Sequence, residues 1–155
     1  MVNSTASGIK FVHTNLVARD WRKLAEFYIK AFGCKRKPPE RDLKGEWLDK
    51  ATSLKGARIR GMHLLLPGYG GNGPTLEIFE YAKEKWARLP VVNRPGFGHI
   101  AFAVKDVGKA LQSVELCGGG RVGERVSAEI EGVGSIDFVY ARDPEGNVIE
   151  LQKWG

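Results

Sequence analysis

The chain has 155 residues, 43% hydrophobic and 27% charged, the balance of an ordinary soluble globular protein long enough to bury one compact core. No apolar run approaches the roughly 18 residues of a membrane span, and the N-terminus lacks the basic-then-apolar layout of a secretion signal, so a cytoplasmic protein with no membrane partner is expected. The net charge of +6 comes from 24 Lys and Arg scattered among 18 Asp and Glu, which argues against a nucleic-acid partner and fits either ordinary solubility or a basic rim that attracts an anionic group on a small substrate.

Residues 1–8 read as a polar lead-in. Residues 9–18 alternate and are rich in β-formers, which predicts a strand; Asp20 is then placed to cap a helix through Phe32 that stops at Gly33. Leu24, Phe27, Tyr28 and Ala31 give that helix a buried stripe at the i, i+3, i+4, i+7 spacing. The stretch 34–57 is polar and turn-rich, with Pro38-Pro39 and Lys55-Gly56, and reads as a short strand and a mobile loop. Residues 58–66 return to strand character, and Pro67-Gly68-Tyr69-Gly70-Gly71-Asn72-Gly73-Pro74 leads by a hairpin loop into a strand over 75–81.

After a connection at 83–97 the order repeats: strand 98–105, helix from Asp106 to Leu116, a glycine stop at Gly118-Gly119-Gly120, then strands near 121–130, 134–141 and 147–153. Asp143-Pro144-Glu145-Gly146 is a turn, since proline presets φ and glycine supplies φ > 0. One helix per module rather than one between every pair of strands predicts an α+β domain over 1–155 with mainly antiparallel sheet, module one at 9–82 and module two at 98–153. Cys34 and Cys117, too few for a disulfide framework, read as reduced thiols packed as small apolar groups.

The two modules share more than their order. A single offset, 99 − 13 = 86, pairs His13 with His99 and Asp20 with Asp106, and each module ends in an apolar strand that carries a glutamate: Glu77 in Thr75-Leu76-Glu77-Ile78-Phe79 and Glu150 in Asn147-Val148-Ile149-Glu150-Leu151. Residues two apart share a strand face. His13 then faces with Asn15, and Glu77 with Phe79 and Tyr81, while Leu16, Leu76 and Ile78 face a helix; Glu150 is likewise opposite Ile149 and Leu151. A lone strand histidine is usually a hydrogen-bonded structural residue and a lone glutamate is usually solvated. A carboxylate inside an apolar strand is costly unless paired or metal-bound, and here it occurs twice, each time with a histidine on a first strand. His13, Glu77, His99 and Glu150 are therefore the expected ligands of one divalent ion, with Zn, Ni, Co, Mn or Fe(II) all suited to imidazole and carboxylate. Asn15, Phe79 and Tyr81 are the expected pocket residues. His63 has no counterpart in module two and reads as structural. The glycine-rich loop lacks the Gly-Lys-Ser/Thr ending of a phosphate loop and leads into a strand.

His13-Thr14-Asn15-Leu16-Val17-Ala18-Arg19-Asp20, Phe27-Tyr28, Gly98-His99-Ile100-Ala101-Phe102-Ala103-Val104 and the segment from Asp143 to Leu151 together resemble the vicinal oxygen chelate superfamily, which groups glyoxalases, bleomycin-resistance proteins and extradiol dioxygenases. The resemblance runs from about Ile9 to Trp154. It implies two tandem βαβββ modules forming one curved eight-stranded, mainly antiparallel sheet around a metal-binding cavity, commonly as a homodimer. It also implies that a metal sits on His13, Glu77, His99 and Glu150. That His-Glu-His-Glu set is similar to glyoxalase I. The implied activity is a lyase or isomerase of a small oxo or acyl substrate, in which the metal chelates two neighbouring oxygens and stabilises an enediolate or enolate. Glu150 is the first choice of base and Glu77 the second. Glutathione-using relatives commonly carry arginine and asparagine where this chain has Val17 and Tyr81, which implies another substrate. Two alternatives are an Fe(II) dioxygenase using His13, His99 and Glu150 and a metal-free binding or resistance protein.

Overall fold

The computed structural model describes residues 8–85 and 88–155, so the lead-in expected at 1–8 lies outside the described residues except for Gly8. In chain order the elements are β1 (His13–Val17), α1 (Trp21–Phe32), β2 (Lys35–Lys44), α2 (Glu46–Thr52), β3 (Arg58–Leu65), β4 (Thr75–Tyr81), β5 (Ile100–Ala103), α3 (Val107–Leu116), β6 (Gly120–Arg121), β7 (Val126–Ile130), β8 (Gly134–Arg142) and β9 (Val148–Trp154). Both long helices start as the sequence predicts. The Asp20 carboxylate accepts from Lys23 N at 3.0 Å, and the Asp106 carboxylate from Lys109 N at 2.9 Å. Gly33 closes α1 at φ 70°, its N–H donating to the Ile29 carbonyl.

This is an α+β protein whose described strands form two mixed sheets, ordered β1-β4-β3-β2 and β5-β9-β8-β6, with β7 also paired to β8. β1 runs parallel to β4 and β5 parallel to β9; the other pairs are antiparallel. The arrangement differs from the single eight-stranded sheet expected: the described residues form nine strands in two hydrogen-bonded groups. Two local differences have physical causes. The stretch 34–57 holds the ten-residue β2 and the helix α2 rather than a short strand and a loop: prolines are tolerated there because β2 is an edge strand, and its register with β3 shifts between Lys37 and Arg41, around Pro38-Pro39. The strand expected over 121–130 divides into β6 and β7, which bond successive parts of β8.

Period-two alternation sends one face of each sheet into a common core. Met62, Leu64, Leu76 and Ile78 from the first sheet and Val139, Ala141, Ile149 and Leu151 from the second are buried with Leu24, Phe27 and Tyr28 of α1 and Val107, Leu111 and Val114 of α3. The Phe32 and Phe102 rings stack across the halves with centroids 4.1 Å apart. Cys34 is buried in this core, with its thiol pushed up to about 11 by burial, and both cysteines are free. Among the described residues no helix is long and apolar enough to cross a membrane.

A buried polar contact helps pin the halves together. The buried Tyr28 hydroxyl donates to Asp143 Oδ2 at 2.8 Å, while Asp143 Oδ1 accepts from the backbone N–H of Glu145 and of Asn147, both at 2.9 Å. Burial pushes the Asp143 carboxyl up, and the hydrogen bonds from Asn147, Tyr28 and Glu145 pull the other way. Tyr28→Phe removes a donor and leaves a buried carboxylate oxygen one partner short, so it is expected to lower stability by about 1–3 kcal/mol. Urea unfolding of the variant checks this, and an unchanged midpoint would show that the contact is not limiting.

Candidate metal centre

The face of each sheet turned away from the helices carries the polar side chains. Cross-strand partners share a face, so the register of the first sheet can be read as rows: Asn15 on β1 lies beside Glu77 on β4, and Glu77 beside His63 on β3. The next residue along the same face of β4 is Thr75, which pairs with His13. These five residues form a connected group. His63 Nε2 is 2.8 Å from Glu77 Oε2, Asn15 Nδ2 donates to Glu77 Oε1 at 2.9 Å, and His13 Nε2 is 3.6 Å from the same oxygen. His63 Nδ1 lies 2.8 Å from the buried Thr75 hydroxyl, and the His13 and His63 rings meet edge to face at 5.4 Å.

The second sheet repeats the plan with different neighbours. Glu150 on β9 pairs with Ala101 on β5 and Tyr140 on β8, and His99, just before β5, places Nε2 2.8 Å from Glu150 Oε2. The Glu77 and Glu150 side chains are only 14% and 13% exposed, so each carboxylate depends on the histidine that faces it. Burial and the Glu150 charge both push the Tyr140 hydroxyl up, which keeps it protonated.

Of the four expected ligands, the structure therefore brings together His13 with Glu77 and His99 with Glu150. His13 and His99 meet as lining residues of one cavity of about 730 Å³, together with Asn15, Val17 and Asn147. Tyr81 lines an adjoining cavity of about 610 Å³. Phe79 packs with Leu48, Ala57 and Ile59 beneath α2. His63, read from sequence as structural, is the residue that sequence reasoning missed: it sits in direct contact with Glu77. A usable signal was the hairpin loop, because His63 and Glu77 each stand seven residues from Gly70 and so fall opposite one another.

His13, His63 and Glu77 each offer a ligand atom, and these atoms lie within 4.8 Å of one another. Two imidazole nitrogens and a carboxylate oxygen suit a divalent transition metal. The Thr75 hydroxyl engages the far nitrogen of His63 and leaves Nε2 turned toward Glu77, the orienting contact that metal-binding histidines commonly have. Burial holds the His63 imidazole below its ordinary value against the opposing pull of Glu77, which favours the neutral ring. These residues fit a bound metal.

The family model of the glyoxalase/bleomycin resistance protein/dioxygenase superfamily matches residues 10–151. The chain belongs to this superfamily. No curated protein sequence matches it. Among solved structures, the superfamily fold recurs in a glyoxalase family protein from Bacillus cereus, with TM-score 0.74 and 19% identity over 99% of this chain and 98% of that one. It recurs in the fosfomycin resistance protein FosX from Listeria monocytogenes, complexed with Mn(II) and sulfate, with TM-score 0.53 and 15% identity over 96% and 93%. A glyoxalase I mutant from Zea mays gives TM-score 0.58 and 22% identity over 92% of this chain and 45% of that one.

The Phe79 ring crosses its cross-strand partner Gly61, where an added Cβ would fall 2.5 Å from the ring and 2.0 Å from the Ile78 carbonyl oxygen. Gly61→Ala is expected to cost about 1–3 kcal/mol through overpacking. Thermal unfolding measures the loss, and an unshifted midpoint would mean that both the Phe79 ring and the Ile78 backbone give way freely.

Proposed function

We propose that this superfamily member is a divalent-metal-dependent lyase or isomerase that moves a proton on a small oxo or acyl substrate. The observation that carries the reading is the unequal surroundings of two half-buried carboxylates. Glu77 stands within a three-donor group with His13 and His63, whereas Glu150 stands outside it, faced by His99. Glu77, His13 and His63 would hold the ion, and Mn(II) in the FosX relative supports a divalent one. When bound, the ion would supply Lewis acidity to two neighbouring substrate oxygens and stabilise the negative charge that develops as the adjacent carbon loses its proton.

Glu150 is the base in this scheme. His99 orients its Oε2 and can take up the proton in turn, while His13 and His99 both line the cavity that the substrate enters. Asn15 holds Glu77 Oε1, so the two ends of that carboxylate are kept apart by different donors. A second reading uses His13, Glu77, His99 and Glu150 as four ligands, with His63 orienting Glu77; the shared cavity wall of His13 and His99 favours it. Within the same proposal, β1 and β5 belong to tandem modules of one domain. Each bonds a single neighbour among the described strands, which suits edges that join into one curved sheet, within the chain or across a homodimer.

Elemental analysis separates the two ligand sets. His63→Ala is expected to lose most of about one metal per chain while His99→Ala retains it; the reverse outcome selects the four-ligand site, and full retention in a His13→Ala, His63→Ala, His99→Ala triple variant ends the metal reading. For the reaction, Glu150→Gln should keep the metal and slow turnover by roughly 10²–10⁴-fold. Solvent deuterium incorporation at the substrate carbon in the absence of oxygen is the accompanying measurement. Turnover only with Fe(II) and consumed O₂ would assign the chain to the dioxygenases instead, a reaction for which two histidines and one carboxylate are also a fitting set.

A further inference from the structure

We infer that the cavity of about 610 Å³ next to the metal-side cavity is a subsite for an anionic, partly apolar tail of the substrate. The inference rests on the reading that the reacting end of the substrate lies at His13 and His99. Val17, Pro90 and Asn147 line both cavities, so the two are contiguous, and a ligand whose head lies beside His13 can run past Val17 into the second space. The volume is within the roughly 300–1,000 Å³ of small-molecule sites.

The lining has two kinds of surface. Val17, Tyr81 and Leu89 supply an apolar wall, and the exposed Lys83, Lys85 and Arg88 supply positive charge. Among the described residues, none of these three cations has a carboxylate within ion-pair distance. Two glutamates also line the cavity. Glu145 is already engaged, accepting from the backbone N–H of Arg19 at 2.9 Å and standing 3.6 Å from the Arg19 guanidinium, which leaves Glu84 alone against the three cations. Like charges gathered around a concavity repel one another, and a bound anion relieves that repulsion. The three cations come from one short segment and line a pocket, which suits a terminal phosphate or carboxylate on a small molecule better than a nucleic-acid backbone.

Titration calorimetry on the metal-free protein tests this directly, with phenyl phosphate, phenylacetate and benzyl alcohol as probes of one ring and three different heads. At least one anionic probe is expected to bind, with affinity that falls as salt is raised, and the Lys83→Gln, Arg88→Gln double variant should weaken it about tenfold or more. Benzyl alcohol should bind more weakly and respond to neither change. Preference for phenyl phosphate or for phenylacetate identifies the tail as phosphate or carboxylate, both of which support the subsite. Failure of both anions to bind, or equal binding by the double variant, overturns it. Because the metal is absent throughout, loss of the metal reading leaves this result standing, and metal content of the double variant at the wild-type level separates the subsite from the metal group.

Discussion

The site depends on a constraint that is not chemical in origin: β4 and β9 each lie with one face against helices and must alternate to do so. Leu76 and Ile78 on β4, and Ile149 and Leu151 on β9, are fully enclosed by α1, α3 and neighbouring strands. With those positions fixed, Glu77 and Glu150 have only the opposite face open to them. A one-residue slip would exchange a carboxylate for a leucine or an isoleucine in the core, at a cost of several kcal/mol for the buried charge alone. Register is thus specified by packing, and the polar face inherits that precision without needing strong interactions of its own.

Once a carboxylate is committed to a sheet face that is only slightly exposed, its neighbours decide what it can do. Glu77 is bracketed by Asn15 and His63, with His13 near, whereas Glu150 is bracketed by Ala101 and Tyr140, with His99 near. The substitution of Ala101 for Asn15 and of Tyr140 for His63 at corresponding places removes an amide donor and an imidazole from one side. Two halves with a common plan therefore present a donor-rich carboxylate and a donor-poor one. Unequal surroundings of this kind drive paired carboxylates toward different tasks.

Much of this was legible in the sequence, and the reasons are local. Asp20, Gly33 and Asp106 mark helix ends by side-chain capping and left-handed backbone, and Glu77 and Glu150 stand out because a charge inside an apolar run is costly. The helix α2 was hidden because it has seven residues, starts at a glycine and has no side-chain cap. β2 was hidden because Pro38-Pro39 argues against a strand, and the prolines are tolerable because β2 has no second neighbour among the described strands. His63 was hidden for a different reason: nothing in its own segment distinguishes it, and its contact with Glu77 follows from being opposite it across a hairpin. Whether the halves join in one sheet is decided by edge-to-edge contacts that no single-strand pattern encodes.

The turn after β8 ties these levels together. Asp143 is held by Tyr28 from α1, and two residues later Glu145 accepts from the backbone N–H groups of Arg19 and Asp20 where α1 begins. A carboxylate at that end also opposes the positive pole of the helix. The first half thus fixes a turn of the second, and that turn carries Asn147, which lines both cavities, directly into β9 and Glu150. Because Asn147 donates its side-chain amide to the same buried Asp143 at 2.8 Å, the boundary between the two cavities is anchored in the core rather than left to a surface loop. Weakening the Tyr28–Asp143 contact should consequently loosen the cavity wall and the entry into β9 together, which makes a nominally structural hydrogen bond a determinant of how Glu150 is presented.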